Sequence, residues 1–276
     1  MGAVLRKISN LFHPKVGEIW CLHRVCPKRS AYKSNRELEV TPDFLEQLIT
    51  ERRNQGFRFV DMDTMVAVAN GKRRGRKLIH ISFDDGFADV FANAYPILKQ
   101  YQVPFTLYVT TDMPDGKADL WWLQLEQLAQ GDIQWFEQTI KQIYSRRCDI
   151  AATMHSMTSS TADFDLCKQM SLTWEQIRVM ASEGLCTVGS HGVSHSAMKY
   201  LSTEQSCFEL SASKHRLEEM LGVEVCHFSY PHSFVGESTN RLVWQSGYRT
   251  AVVGFGGAIR RKKGNSFFNR TLIVQP

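Results

Sequence analysis

The sequence predicts an α/β fold of the parallel-barrel type, and three observations support this prediction. Apolar strands alternate with amphipathic helices, each polar motif follows directly after a strand, and about six or seven strands can be recognised rather than eight. We therefore expect a distorted or incomplete (β/α)7-type barrel that forms a single domain over residues 1–276. A doubly wound open sheet is the alternative, but the first strand is not followed by a glycine-rich phosphate loop such as GxGxxG.

Strands are predicted where short apolar or β-branched runs are bounded by turn residues. These runs are residues 18–22, 57–60, 78–83, 103–109, 185–188, 223–229 and 248–253. Such short runs are typical of strands buried on both faces of a parallel sheet. Residues 26–39 are polar and basic, and we expect a loop there.

Helices are predicted where apolar residues recur at helical spacing after a capping residue. The pair Thr41-Pro42 is typical of a helix start, and Thr173 and Ser202 each begin a capping box. A bend is expected at Tyr95-Pro96. The predicted helices cover about residues 42–55, 62–69, 87–100, 173–183, 202–221 and 237–245.

An α-helical insertion is predicted over about residues 112–170. Helical spacing extends from Trp121 to about residue 144, whereas residues 148–165 are small, polar and aperiodic, which indicates a loop or lid. Trp121 and Trp122 are adjacent and cannot share one helix face. Core packing is the favoured role for both, and Trp122 is the candidate to stack on a sugar ring.

Composition and charge favour an ordinary globular protein in a reducing compartment. The seven cysteines are an odd number without close pairing, the net charge is +5, and no apolar run is long enough to span a membrane. With no signal peptide recognised at the N-terminus, a cytoplasmic location is expected. The basic runs at 71–77, 144–147 and 259–264 are expected to be solvated loops, with an anionic glycan or a membrane surface as the alternative partner. We expect no nucleic-acid partner.

The first twelve residues predict an amphipathic helix. Val4, Leu5, Ile8, Leu11 and Phe12 fall on one face, with basic side chains opposite. Packing against the domain is the favoured role of this helix, and peripheral association with a membrane surface is the alternative.

Two adjacent carboxylates, Asp84 and Asp85, stand at the end of the apolar run 78–83 and are followed by Gly86. Neighbouring residues on extended chain point to opposite sides, so one carboxylate can bind a cation while the other faces a reacting water. Taken alone, a DDG sequence is more simply a surface turn in which an aspartate caps the next helix.

Two histidines, His191 and His195, lie four residues apart after another apolar strand. Taken alone, such a pair is more often solvated than ligating. Together with the acidic strand end they predict a site of two nitrogens and one carboxylate with an open position for water, the ligand pattern of catalytic zinc.

Three motifs in this order, SFDDG (82–86), SHGVSH (190–195) and FSYPHS (228–233), resemble those of the polysaccharide deacetylases of carbohydrate esterase family four, the NodB-homology group. The resemblance extends from about His23 to the C-terminus, with a gap over about residues 112–170.

The resemblance implies a role for each motif residue. Asp84 would be the general base, and the metal ligands would be Asp85, His191 and His195, with one divalent ion, Zn²⁺ as first choice. The peptide N–H of Tyr230, together with the metal, would bind the oxyanion.

The chain also departs from the family pattern. The late LxH motif that usually carries the general-acid histidine is missing from the C-terminal TLIVQP. The run IWCLH resembles the permuted poly-N-acetylglucosamine de-N-acetylases, in which the acid follows an early strand, and this assigns His23 as the acid. Ser229 or Tyr230 occupies the place of an arginine that orients the base, so Arg24 or Arg270 is expected to replace it, with Arg270 preferred.

The resemblance implies a metal-dependent de-N-acetylase that releases acetate from an N-acetylated sugar or a surface-polysaccharide precursor. Two alternatives remain at this point. One is a deformylase or other amide hydrolase acting on a lipid-linked or nucleotide-linked sugar, and the other is a silenced glycan-binding module.

Overall fold

Seven parallel strands form a nearly closed barrel, which confirms the predicted (β/α)7-type fold. The computed structural model describes residues 14–146 and 149–276, so the predicted N-terminal amphipathic helix lies outside the described residues. The strands are β1 (Lys15–Leu22), β2 (Arg24–Val25), β3 (Glu39–Val40), β4 (Arg58–Phe59), β5 (Leu78–Phe83), β6 (Phe105–Val109), β7 (Cys186–Ser190), β8 (His227–Ser229), β9 (Thr250–Val253), β10 (Ile259–Arg260), β11 (Phe267–Asn269) and β12 (Thr271–Leu272).

The barrel strands follow the order β1, β5, β6, β7, β8, β9 and β11, with parallel pairing throughout. Closure depends on Arg270, which separates β11 from β12. Its N–H donates to Val253 O, which keeps β11 on β9, and the next residues, β12, pair with β1. The last strand of the barrel is therefore shared between two neighbours, with Arg270 at the crossing.

Helices surround the barrel, and their bounds agree closely with the capping signals. They are α1 (Lys33–Arg36), α2 (Pro42–Asn54), α3 (Met62–Ala69), α4 (Tyr95–Gln100), α5 (Trp121–Ala129), α6 (Ile133–Ser145), α7 (Ile150–Thr158), α8 (Phe164–Met170), α9 (Trp174–Ser182), α10 (Thr203–Leu221) and α11 (Glu237–Gln245). Both predicted capping boxes form, at Thr173 and at Ser202. The expected bend before Pro96 is a π-helical turn over Val90–Ala94.

The barrel interior is filled and closed at its base. Met62, Met65 and Val68 of α3 pack with buried residues of several strands, among them Tyr108 and Phe268. The base is therefore a packed core, and only the opposite rim is open to substrate.

The prediction of a loop at 148–165 is wrong, because α7 and α8 occupy this region. Asp149 and Asp163 cap these helices through their side chains, which accept from Ala152 N and Leu166 N. Met154 is fully buried in a second apolar cluster. Serine and threonine between the apolar positions conceal the helical spacing in the sequence. The predicted loop at 26–39 likewise contains the short helix α1.

No helix in the described ranges combines the length and the apolar character needed to cross a bilayer.

The close approach of β1 to β5 requires glycine at position 17. A β-carbon on Gly17 would overlap the backbone carbonyl of Leu78, its partner across the parallel ladder. We predict that Gly17→Ala lowers the free energy of unfolding by about 2–3 kcal/mol, because the strands must separate. Urea denaturation measures this change.

Gly184→Ala is the matched control, since a β-carbon there meets no atom within 4 Å and only the positive φ of +83° is penalised. We expect a loss of about 1 kcal/mol for this variant. Equal losses in the two variants would contradict the close-approach argument.

Candidate active site

The polar residues predicted from the motifs meet at the carboxyl rim of the barrel. Because all seven strands are parallel, the residue that follows each strand lies at the same end. The residues in question are His23 after β1, Asp84 and Asp85 after β5, His191 after β7, Tyr230 after β8 and Arg270 after β11.

Asp85, His191 and His195 form a compact group whose ligand atoms all lie within 4.8 Å of one another. Asp85 Oδ1 is 3.4 Å from His191 Nε2 and 3.3 Å from His195 Nε2. This oxygen is buried and has no hydrogen-bond partner in the described part of the chain. A buried carboxylate oxygen that faces two imidazole nitrogens fits a divalent cation, which would satisfy all three ligand atoms.

The imidazole of His191 is held in the tautomer that a metal ligand needs. Its Nδ1 lies 2.8 Å from Ser229 O, which can only accept, so Nδ1 carries the proton and Nε2 presents its lone pair to the group. Burial lowers the pKa of His191 to about 4, although the nearby Asp84 carboxylate acts in the opposite direction. His191 is therefore neutral at pH 7.

The backbone around these ligands adopts unusual conformations. Asp85 has φ of 72°, His195 of 60° and His232 of 54°, all in a region that residues other than glycine seldom occupy. Such conformations cost about 1–3 kcal/mol each and persist where surrounding structure imposes them. At Asp85 the carbonyl oxygen accepts from Thr110 N, which ties this turn to the strand beside it.

Asp84 is held by a bidentate pair with Arg270. Both guanidinium nitrogens lie 2.6 Å from the carboxylate oxygens, and they also donate to the hydroxyls of Ser82 and Ser229. Burial alone would raise the pKa of Asp84, but the guanidinium outweighs it and lowers the pKa to about 2. Asp84 is therefore an ionised carboxylate of fixed orientation, 3.8 Å from His191 Nε2.

Of the two arginines considered from the sequence, only Arg270 contacts Asp84. Arg24 instead pairs with Glu39 and Asp89, at 2.9 Å each, beside the rim. The expectation that Arg24 orients the base therefore does not agree with its contacts.

His23 and Cys21 lie beside Asp84, and one ligand atom from each of the three residues falls within 4.8 Å of the others. His23 lines the cleft, and its Nδ1 is buried without a hydrogen-bond partner in the described residues. Cys21 Sγ donates to Asp84 Oδ2 at 3.7 Å. Burial raises the pKa of Cys21 well above its usual range, so the side chain is a neutral thiol.

The peptide N–H of Tyr230, predicted to bind the oxyanion, is already engaged. It donates to Val252 O at 3.2 Å within the sheet. In the turn that follows, Ser233 N and Phe234 N also have backbone acceptors, and Pro231 has no N–H. The N–H of His232 has no acceptor in the described part of the chain, and His232 lines the cleft.

The helical insertion covers the site. Trp121, Trp122, Ile140 and Tyr144 line a cleft of about 340 Å³ that opens onto the candidate metal ligands. Both tryptophans also belong to the second apolar cluster, so each has a core role and a cleft role. The Trp122 ring lies 5.3 Å from the imidazole of His195 and supports this ligand as well as facing the cleft.

Sequence reasoning missed several residues of the cleft, chiefly Cys21, Tyr144 and His232. Two signals were available. Cys21 and His23 are two residues apart at the end of a strand and therefore point to the same side, and His232 follows directly after the Tyr230-Pro231 pair. Tyr144 carried no such signal, because its place depends on how the insertion folds over the rim.

Comparison with known proteins agrees with this geometry. The profile described as polysaccharide deacetylase matches residues 71–251, more than half of the chain. The chain belongs to the polysaccharide deacetylase family. His23 and Arg270 both lie outside the matched residues.

A curated relative, named as polysaccharide deacetylase YxkH of Bacillus subtilis, is 23% identical over 211 residues. The alignment covers 76% of this chain and 57% of the relative, so the chain spans little more than half the length of that protein.

Three solved structures share the fold over nearly the whole chain. IcaB from Ammonifex degensii has a TM-score of 0.66 at 20% identity, covering 94% of this chain and 92% of the other. PplD from Streptococcus pyogenes, solved with acetate, has a TM-score of 0.67 at 20% identity, with coverage of 95% and 93%. A de-N-acetylase from Aggregatibacter actinomycetemcomitans has a TM-score of 0.67 at 17% identity, with coverage of 94% and 95%.

The buried pair between Asp84 and Arg270 leads to a stability prediction. Arg270→Met leaves the Asp84 charge buried without its partner, and we expect the free energy of unfolding to fall by about 3–5 kcal/mol. The double variant Asp84→Asn/Arg270→Met should regain part of this loss, because it contains no unpaired charge. Urea denaturation at pH 7 measures the wild type, the single variants Asp84→Asn and Arg270→Met, and the double variant.

Arg249→Met provides the control, since Arg249 forms an exposed pair with Glu224 at 3.2 Å. Exposed pairs contribute about 0–1 kcal/mol, so little change is expected. Strict additivity of the Asp84 and Arg270 substitutions would show that the two side chains are not coupled.

Proposed function

We propose that this protein is a metal-dependent de-N-acetylase that hydrolyses an acetamido group on an N-acetylated sugar and releases acetate. The observation that carries the proposal is the convergence of Asp85, His191 and His195 beside the ionised Asp84, at the floor of a cleft lined by aromatic rings. Two of the similar structures, a de-N-acetylase and a deacetylase solved with acetate, support the same reaction class.

The metal would be held by Asp85, His191 and His195. Two imidazole nitrogens and one carboxylate oxygen suit Zn²⁺, which is the first choice among divalent ions. When bound, such an ion supplies Lewis acidity toward a carbonyl oxygen and activates water.

Asp84 is proposed as the general base. Its depressed pKa keeps it ionised, and Arg270 fixes its orientation. It stands next to the ligand His191 and is therefore placed to take a proton from water in the cleft. A base held by a bidentate pair loses little freedom when it acts, which favours the transition state.

The oxyanion donor is proposed to be the peptide N–H of His232 rather than that of Tyr230. The Tyr230 N–H would have to leave Val252 O, whereas the His232 N–H has no acceptor to give up among the described residues. One such donor contributes about 3–4 kcal/mol to transition-state stabilisation in a well-studied hydrolase.

His23 is proposed as the general acid that protonates the departing amine. It lines the cleft beside Asp84, and Nδ1 has no protein partner in the described residues to compete for its proton. Asp84 and His23 then divide the two proton transfers of amide hydrolysis between them.

The substrate is proposed to be a single N-acetylated sugar unit of a surface-polysaccharide precursor. The cleft of about 340 Å³ lies at the lower end of the range for ligand pockets and has room for about one sugar residue. Trp122 and Tyr144 offer aromatic surfaces for that ring. The six described cysteines are free thiols, which is consistent with the cytoplasmic location that forms part of this proposal.

Metal analysis combined with an acetate assay tests the function. Asp85→Ala and His191→Ala should lose both bound metal and acetate release, because each removes a ligand. Asp84→Asn should keep the metal and lose turnover, because it removes only the base. Metal content is measured on protein purified without chelator, and acetate release is assayed with N-acetylated mono- and oligosaccharides.

Chelation followed by return of the metal is the control, and it should restore wild-type activity. Full activity of Asp84→Asn would contradict the base assignment, and unchanged metal content in Asp85→Ala would contradict the ligand set. Formate is measured in the same reactions, so formate release without acetate would replace deacetylation by deformylation. A protein without bound metal that still binds the sugars would instead be a glycan-binding module.

The role of His23 is tested with two leaving groups. His23→Gln should slow acetamide hydrolysis by about 10²–10⁴-fold, because the amine must be protonated as it leaves. Hydrolysis of p-nitrophenyl acetate should remain near the wild-type rate, because the phenolate leaves without a proton. Initial rates on both substrates provide the comparison.

His215→Gln is the matched control, because His215 is exposed on α10 away from the cleft. Both of its rates should equal those of the wild type. Equal loss of amide and ester hydrolysis in His23→Gln would assign His23 a structural role rather than proton transfer.

A further inference from the structure

Two basic runs that are far apart in the sequence meet at the base of the barrel. Residues 71–77 lead into β5, and residues 259–264 include β10, which pairs with the start of β1. Backbone and side-chain bonds join the segments that carry them, because Lys262 N donates to Ala69 O and Asn265 N to Asn70 Oδ1. The two runs therefore form one surface, which we call the basic end.

The basic end lies opposite the candidate active site. It surrounds the amino ends of β1 and β5, whereas His23 and Asp84 follow their carboxyl ends. A strand of the length of β1 spans about 25 Å at the usual rise per residue. The two surfaces are thus separated by the whole height of the barrel.

The charge on the basic end is dense and exposed. Its exposed basic side chains are Arg58, Lys72, Arg73, Arg74, Arg76, Lys77, Arg260, Lys262 and Lys263. Four arginines, at positions 58, 74, 76 and 261, line an open groove of about 500 Å³. Within residues 14–146 and 149–276, Lys72, Arg74 and Arg76 form no ion pair with a carboxylate, so this charge is presented to solvent.

The chain outside the described residues begins at the same place. Pro14 O accepts from Arg261 N at 3.0 Å, so residues 1–13 join the protein at the basic end. Their sequence contains Arg6 and Lys7 together with the five apolar residues at helical spacing. A sequence that combines basic and apolar residues in this way is typical of segments that bind anionic membrane surfaces.

We propose that the basic end is a docking surface for an anionic lipid bilayer. Arginine guanidinium groups match phosphate headgroups in charge and geometry, and clusters of four to eight basic residues attract anionic leaflets. The apolar residues in the sequence that precedes Pro14 favour a bilayer over an anionic polymer, which offers no apolar phase. With the basic end on the membrane, the cleft at the opposite rim faces away from the membrane. It then takes sugars that project from the membrane surface.

Vesicle sedimentation with the full chain tests the docking. Binding is expected to phosphatidylcholine vesicles containing about a third phosphatidylglycerol, and not to phosphatidylcholine alone. It should be strong at about 0.01 M salt and be lost near 1 M salt, where the screening length falls to about 3 Å. The variant Lys72→Gln/Arg74→Gln/Arg76→Gln should bind at least about tenfold more weakly.

The control variant, Lys117→Gln/Lys141→Gln/Arg241→Gln, removes the same charge from exposed positions outside the basic end. It should bind vesicles like the wild type, and both variants should retain deacetylation of a soluble sugar. Equal weakening in the two variants would overturn the proposal, because net charge rather than this surface would then determine binding. Binding to heparin but not to anionic vesicles would overturn it in favour of an anionic polymer. Equal binding to neutral vesicles would also overturn it.

Discussion

The contact between Asp84 and Arg270 is the interaction on which the site depends. Burying either charge alone is costly, so the carboxylate and the guanidinium are stable in the barrel only as a pair. The hydroxyls of Ser82 and Ser229 accept further bonds from the two terminal guanidinium nitrogens, whereas Nε of Arg270 has no partner among the described residues. Since Arg270 lies at the crossing between β11 and β12, its backbone helps to close the barrel while its side chain orients the Asp84 carboxylate. Fold closure and site geometry are therefore coupled through one residue.

The candidate metal ligands show a second coupling, between backbone strain and ligand geometry. Asp85 and His195 are held at positive φ, and this turns their side chains toward His191. The surrounding contacts hold this geometry, through Ser229 O on His191 and the Trp122 ring on His195. The three ligand atoms are thus brought close together by the protein itself, which reduces the ordering that metal binding must impose.

The sequence predicted the barrel and the main rim residues because both depend on local patterns. Apolar runs locate the strands, capping residues locate helices such as α10 to within a residue, and the motifs lie where strands end. The insertion was only partly predictable. Helix α7 and the segment that joins it to α8 are rich in serine and threonine. The core role of the apolar residues in these two helices becomes apparent only when they bury against α5 and α6. The engagement of the Tyr230 N–H was also hidden, because it depends on pairing between β8 and β9.

The order of the candidate site residues along the chain has a simple physical basis. In a closed parallel barrel every strand delivers its carboxyl end to one rim, so a group can be supplied by any strand whose end faces the right side of the cleft. Ser229, at the end of β8, has a small side chain whose hydroxyl accepts from the guanidinium of Arg270, and Arg270 follows β11, two places along the sheet from β8. In the same way His23 enters from the first strand rather than the last. The chemistry requires a charged or titratable atom at a given place on the rim. The position in the sequence of the residue that provides this atom is free to vary.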